Sequence, residues 1–114
     1  MKFFKYIALS LFLAISSTAF ASVFSDIDSV SGKIVEAQTA LANGASDDDV
    51  ILLIREANKL TKVIMLPDSL VIKRQRGNAQ LKKARLAIKK GDRDTGKVHL
   101  EKAAQDFAKL KSLV

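Results

Sequence analysis

Apolar residues recur every three or four positions along most of the chain, and not at every second position. This spacing predicts amphipathic α-helices and gives no strand signal between residues 22 and 114. Four segments carry the pattern, at about 25–43, 46–66, 69–90 and 94–114. Because a narrow apolar stripe needs other stripes to cover it, the pattern predicts an all-α protein folded as an antiparallel four-helix bundle.

Glycine, proline and capping residues separate the four segments. Gly44 and Gly91 are placed as C-terminal stops of the first and third helices. Ser46 is a predicted N-cap of the second helix, and Pro67 ends that helix because it has no amide to donate. Gly77 lies inside the third segment, where a glycine costs about 1 kcal/mol. We therefore expect the stretch before Gly77 to be irregular.

The two halves of the chain match each other at an offset of 47 residues. Gly44 aligns with Gly91, and the register continues through the turn without a gap, so that Asp47 aligns with Asp94. Each half is interpreted as one helical hairpin, which cannot cover its own apolar face. The predicted bundle therefore consists of two repeated hairpins, paired within one chain or, in a homodimer, between two chains.

The first 21 residues have the layout of a secretory signal peptide. Lys2 and Lys5 precede an apolar run at 6–15, and small residues lead to Ala21. A retained membrane anchor is the alternative, but a spanning helix needs about 20 consecutive apolar residues. We therefore predict a signal peptide at 1–21, cleaved after Ala21, a single domain at 22–114, and a periplasmic or secreted location in a bacterium.

Composition narrows the function classes. The 114 residues carry a net charge of +7 and contain no cysteine, which excludes disulfides and thiolate metal sites. Without the predicted leader, the net charge is +5. A domain of this length is too small for most enzyme scaffolds, and it shows neither an activated nucleophile nor a glycine-rich phosphate loop. The sequence predicts a non-catalytic protein.

A pattern of small and apolar residues precedes the glycine stops of the first and third segments. It consists of Ala84-x-x-Ala87-Ile88-x-x-Gly91-Asp92, then Val98-His99-Leu100-Glu101-Lys102-Ala103, with a fainter copy in Ala37-x-x-Ala40-Leu41-x-x-Gly44. These segments resemble the small metal-binding protein family of periplasmic four-helix bundles, over most of residues 22–114. The resemblance implies a periplasmic binding or scavenging protein for divalent transition metals. The chain departs from the family in having one histidine.

Carboxylates and that histidine form a candidate metal site. In an up-down bundle the first and third turns lie at the same end, where carboxylates and one imidazole could hold a divalent transition metal weakly. The alternative is that the aspartates are helix caps, neutralised by neighbouring cations. The candidate ligands are Asp47, Asp48, Asp92, Asp94 and His99.

Positive charge concentrates in the second half of the chain. Residues 22–67 carry a net charge of −3 and residues 68–114 carry +8, with no acidic residue between 73 and 90. Arg76, Lys83 and Lys90 recur every seven residues and would form a stripe about 20 Å long on the third helix. The candidate anion-binding residues are Lys73, Arg76, Lys82, Lys83, Lys89 and Lys90.

Two functions follow from these features. The resemblance implies an exported metal-binding protein. The charge pattern predicts an interaction or chaperone-like module whose third helix binds an acidic protein, lipid or polysaccharide. The alternative for the charges is an ordinary basic surface that pairs with acidic residues of the first two helices. Nucleic acid is disfavoured, because residues 22–114 contain no tyrosine or tryptophan for base stacking.

Overall fold

Four helices make up the described part of the chain. The structure is a computed structural model that describes residues 19–114, with side chains from residue 22 onward. The helices are α1 (Ala19–Ala42), α2 (Asp47–Thr61), α3 (Asp68–Lys89) and α4 (Arg93–Ser112), and these residues contain no strand. The predicted all-α, four-helix fold is confirmed. Residues 1–18 of the predicted signal peptide lie outside the described residues.

The helix ends follow the local signals. Gly44 and Gly91 have positive φ angles of 76° and 85°, which a glycine adopts without strain. In both turns the amide after the glycine donates to a carbonyl five positions earlier, at 2.9 Å. Ser46 and Asp92 cap the helices that follow, because their side chains accept from backbone N–H groups of the first turn. The prediction that Pro67 ends the second helix is wrong, because α2 ends at Thr61 and Pro67 is the N-cap residue of α3.

The helices pack in a ring in which each one contacts its neighbours in sequence and α4 contacts α1. Nζ of Lys111, near the end of α4, donates to Oδ1 of Asp28, in the first half of α1, at 2.6 Å. Phe107, also near the end of α4, packs on Gly77 in the first half of α3. These contacts join opposite ends of adjacent helices, which is the antiparallel arrangement.

The core contains the apolar stripe predicted for each helix. Its fully buried members include Ile27, Val30 and Ile34 of α1, Val50, Ile54 and Ala57 of α2, Leu81, Ala84 and Ile88 of α3, and Leu100, Ala103, Phe107 and Leu110 of α4.

The expected irregularity before Gly77 is wrong. Helix α3 runs without interruption from Asp68 to Lys89, and Gly77 is buried within it. A Cβ at Gly77 would lie 2.7 Å from two ring carbons of Phe107. The glycine therefore makes room for an aromatic ring, and the packing of that ring offsets the low helix propensity.

The prediction that the offset of 47 residues continues through the turn is wrong. The offset is one residue smaller in the second helix of each hairpin. Buried positions of α1 and α3 coincide at an offset of 47, as Ile34 and Leu81 show. Those of α2 and α4 coincide at 46, as Ile54 and Leu100 show. The reason is that four residues separate α1 from α2, whereas three separate α3 from α4. We call positions related by 47 in α1 and α3, or by 46 in α2 and α4, equivalent.

Candidate functional site

The first and third turns lie at the same end of the bundle, and Arg93 joins them. Its guanidinium donates to the carbonyl oxygens of Ala45 at 2.9 Å and Leu41 at 3.3 Å. It also forms an ion pair with Asp47. Asp47 is therefore neutralised by an arginine at the position where the metal hypothesis requires a free carboxylate.

Asp92 acts as the cap of α4. Its carboxylate accepts from the Thr95 hydroxyl at 2.7 Å and from the Thr95 backbone N–H at 3.1 Å. These two hydrogen bonds, the hydroxyl bond first, lower the pKa of Asp92 below its ordinary range. Asp48 and Asp94 are exposed residues in the first turns of α2 and α4.

His99 faces α3 and not the turns. Its Nδ1 lies 2.7 Å from Oε1 of Gln80, and the residue is partly buried. Burial, followed by the positive charges of Lys102 and Lys83, lowers the pKa of His99 below its ordinary value of 6.5. The imidazole is neutral at pH 7.

The five candidate metal ligands are not assembled into one site. Among residues 19–114, no group of three or more His, Cys, Asp or Glu side chains lies close enough to hold a metal ion. Asp47, Asp48, Asp92, Asp94 and His99 therefore do not form a group of three or more ligands among the described residues, and metal binding by them stays a prediction. The group does not form because Asp47 pairs with Arg93, Asp92 caps α4, and His99 is directed to Gln80.

The six candidate anion-binding residues occupy different sides of α3. Lys73 and Arg76 border a small cavity against α4, together with Asp106 and Lys109. Lys83 and Lys90 are exposed. Lys82 and Lys89 lie on the opposite side, towards α2. The structure thus divides the predicted basic surface between the two flanks of the helix.

A cationic cavity lies between α2 and α3, with a volume of about 210 Å³. We call it the α2–α3 groove. It continues into a cavity of about 330 Å³ that shares Arg55 and Arg85, and into one of about 170 Å³ that shares Lys62 and Asn78. The residues that line the α2–α3 groove are Arg55, Asn58, Lys59, Lys62, Asn78, Lys82 and Arg85.

Two polar atoms of the groove residues are buried without a partner. They are Nε of Arg85, a hydrogen-bond donor, and Oδ1 of Asn58, an acceptor. Buried polar atoms are normally hydrogen-bonded, because each unpaired group costs about 1–3 kcal/mol. Both atoms have almost no exposed surface, so neither is open to a ligand in the groove, and within the described residues each is left without a hydrogen-bond partner.

Within the described residues, no carboxylate forms an ion pair with the groove cations. The ion pairs of this part of the chain involve Lys33 with Glu36 and Glu56, Arg93 with Asp47, and Lys111 with Asp28. Four acidic residues of the first two helices, Asp28, Glu36, Asp47 and Glu56, are paired with cations outside the α2–α3 groove. Asp48 lines the adjoining cavity with Arg55, Arg85 and Lys89, but among the described residues it forms no ion pair with them.

The opposite face of the bundle provides an internal comparison. The face between α1 and α4 is equivalent to the face between α3 and α2, but it has no cation at the positions equivalent to the groove cations. Those positions hold Glu101 for Arg55, Gln105 for Lys59, Ala108 for Lys62, Val35 for Lys82 and Gln38 for Arg85. The equivalent helix interface therefore forms without cations at these positions.

Sequence reasoning missed the contribution of α2. Arg55, Lys59 and Lys62 lie in a half of the chain whose net charge is negative, so the net charge of that half did not indicate a basic surface. Their spacing of four and three residues places them on one face of α2. That spacing was an available signal, but only the packing of α2 on α3 directs this face to Lys82 and Arg85.

None of the helices described here is long and apolar enough to cross a bilayer. Searches against protein-family models, curated proteins and solved structures found no match for this chain.

Proposed function

We propose that the protein is a small, exported, non-catalytic binding protein that holds an anionic partner on its basic third helix, α3. The observation that carries this proposal is the set of cations outside ion pairs on α3 and the facing side of α2, within the described residues. The core buries the apolar stripe of each helix, whereas Lys73, Arg76, Lys82, Lys83 and Lys89 of α3 are exposed and accessible to a partner. The predicted export signal at 1–21 supports a partner in the bacterial envelope, such as an acidic protein, lipid or polysaccharide.

Binding to an anionic surface tests this function. We expect the chain lacking residues 1–21 to bind vesicles that contain phosphatidylglycerol, and to leave phosphatidylcholine vesicles unbound. Because exposed charges are screened over about 10 Å at 0.1 M salt, binding should weaken steeply as salt is added. Polyglutamate and an acidic polysaccharide, titrated in the same buffer, show which class of anion binds best.

A triple variant locates the binding surface. Arg76→Gln, Lys83→Gln and Lys90→Gln together should reduce vesicle binding by at least about tenfold, since each removes a positive charge that is in no ion pair within the described residues. The matched control removes three α4 charges by Lys97→Gln, Lys102→Gln and Lys109→Gln. Equal losses in the two variants would mean that net charge alone controls binding, and would overturn the assignment of the binding surface to α3.

Metal binding is kept as a second proposal, because the four-helix fold agrees with the resemblance to the small metal-binding protein family. His99 is the one imidazole available to it. Calorimetric titration with copper, nickel and zinc tests the proposal. Absence of heat, together with an unchanged melting temperature, would overturn it.

A further inference from the structure

We propose that the outer side of α3 lies on an anionic lipid surface, with a row of apolar side chains entering the headgroup region between two rows of cations. This inference rests on the proposed function and names the class of partner that the basic helix binds. The feature that carries it is a second apolar row on α3, which is exposed and separate from the row that enters the core.

The second apolar row consists of Ile72, Ala79 and Leu86, which recur every seven residues in an uninterrupted helix. Residues seven apart in an α-helix point in the same direction to within about 20°. All three are exposed, and Ile72 and Leu86 keep 60% and 49% of their surface accessible. Leu81 and Ile88, two positions after Ala79 and Leu86, are fully buried, and two positions correspond to about 200° of helix rotation. The row is therefore on the side of α3 directed away from the core, where it extends over about 21 Å.

Cations flank this row on both sides. Four positions after each apolar residue is a cation of the first flank, which consists of Arg76, Lys83 and Lys90. Lys82 and Lys89 follow Ala79 and Leu86 by three positions and form the second flank, on the side towards α2. All five cations are exposed, and no acidic residue occurs between 73 and 90.

Two carboxylates of the neighbouring helices border the surface. Asp48 of α2 lines a cavity with Leu86 and Lys89. Asp106 of α4 lines another with Arg76. Among the described residues neither carboxylate forms an ion pair. Because five cations face two bordering acids, the surface as a whole is positive.

A lipid bilayer complements both features of this surface. Its anionic headgroups attract the lysine and arginine side chains, and its interface accepts apolar side chains at the boundary with the acyl chains. Long cationic side chains suit this arrangement, because their methylene stems pack on apolar surface while their charged ends reach the headgroups. A soluble polyanion, in contrast, would pair with the cations and leave Ile72 and Leu86 in water.

Other occupants match the surface less well. A second copy of this chain would bring two positive faces together, and like charges across an interface repel. A stable protein interface buries about 800 Å² on each partner around an apolar centre. The outer side of α3 offers only two large apolar side chains, Ile72 and Leu86, for such a centre.

The first experiment removes the apolar row and keeps every charge. In the chain lacking residues 1–21, Ile72→Ser with Leu86→Ser should weaken binding to phosphatidylglycerol vesicles by at least about tenfold, because two exposed aliphatic side chains no longer leave water on binding. Binding to polyglutamate should stay the same. Unchanged vesicle binding would show that the charges act alone and would overturn the inference.

The matched control is Leu52→Ser with Val98→Ser. It removes two aliphatic side chains of similar exposure, 55% and 46%, from α2 and α4. The control should retain vesicle affinity, and thermal melting checks that both double variants are folded. If the control loses as much affinity as the α3 variant, the apolar contact is not specific to α3 and the inference is wrong.

The second experiment measures insertion directly. The chain contains no tryptophan, so Ala79→Trp introduces a single indole at the centre of the row. Its fluorescence should shift to shorter wavelength on phosphatidylglycerol vesicles and should be quenched by brominated acyl chains. Thr39→Trp, at an exposed position of α1 across the ring from α3, should show neither change. Vesicle binding that leaves the fluorescence at position 79 unchanged would contradict insertion.

Failure of this inference can be distinguished from failure of the proposed function. Binding to polyglutamate without binding to vesicles overturns the lipid assignment alone and indicates an acidic macromolecule as the partner. Absence of binding to both overturns the proposed function as well.

Discussion

Arg93 shows how one side chain holds two turns together. It and Asp47 occupy equivalent positions, each the first residue of its helix, and they pair with each other. The same guanidinium satisfies two carbonyl oxygens at the end of α1 and its turn. An acidic residue predicted as a metal ligand thus serves to join the hairpins at one end of the bundle.

The lowered pKa of His99 predicts that the stability of the fold depends on pH. Its pKa is lowered in the folded state, so the unfolded chain takes up a proton first as the pH falls below 6.5. The stabilising effect of the neutral imidazole is complete above pH 6.5 and is lost as the pH falls towards the folded pKa. We expect the melting temperature to decrease from about pH 7.5 to about pH 5.5, across the pKa of the unfolded chain.

The substitution His99→Gln isolates this effect. Glutamine keeps a polar side chain opposite Gln80, and it does not titrate beside Lys83 and Lys102. The variant should show a flatter dependence of melting temperature on pH over the same interval, measured by circular dichroism. An unchanged slope in the variant would assign the pH dependence to other groups.

Among the elements, α3 illustrates how a helix with a weak apolar stripe is held in place. Its buried face includes Gly77, Leu81, Ala84 and Ile88, and the flanks carry the basic residues. On the side facing α4, the absence of a side chain at Gly77 leaves room for the Phe107 ring to pack against α3. The side facing α2 is left open as the α2–α3 groove.

Gly77→Ala tests the contact between α3 and α4. Alanine favours the helix by about 1 kcal/mol, but its Cβ would lie 2.7 Å from the Phe107 ring. Overpacking costs about 1–3 kcal/mol, so we expect a net loss of stability in urea unfolding. Combining the change with Phe107→Leu should remove most of the additional cost, as a double-mutant cycle would show.

Gly32→Ala provides the control within α1. This glycine is exposed, and a Cβ added to it would meet no atom within 4 Å, so alanine should stabilise the helix by about 0.5–1 kcal/mol. If both substitutions stabilise the protein, the Phe107 ring accommodates the added methyl group and the packing explanation is wrong.

Across the whole molecule, each hairpin covers the apolar face of the other. Core residues come from all four helices, and the ring of contacts closes only through α2 with α3 and α4 with α1. Neither hairpin therefore has a complete core of its own. The equivalent faces differ in charge, so the bundle has one cationic groove and one face without those cations.

Separating the hairpins tests this interdependence. We expect a peptide of residues 22–66 and one of residues 67–114 to be weakly helical alone, because isolated amphipathic helices are marginal in water. Mixed at equal concentration, they should regain helical circular dichroism and a cooperative melt. A full cooperative transition in either peptide alone would contradict the shared core. Sizing the intact chain shows whether the hairpins pair within one molecule.

Local signals in the sequence were enough to place the four helices and most of their ends. The three- and four-residue spacing of apolar positions, the positive-φ glycines and the Ser46 cap each act within a few residues of the chain. The internal repeat was also visible, although its register changes by one at the shorter turn. The turn between α3 and α4 is one residue shorter than the turn between α1 and α2, so the offset between matching positions changes by one. The residues that align at the unchanged offset are still similar, which is why the sequence alone did not reveal the change.

The contacts of the polar residues, in contrast, depend on how the helices pack. Arg93 neutralises Asp47, His99 meets Gln80, and Gly77 accepts an aromatic ring from another helix. The α2–α3 groove likewise joins cations from an acidic half and a basic half of the chain. Charge and apolar periodicity can be read from one segment of the sequence. A site between two helices depends on which of their faces are in contact, and only the packing of the helices determines those faces.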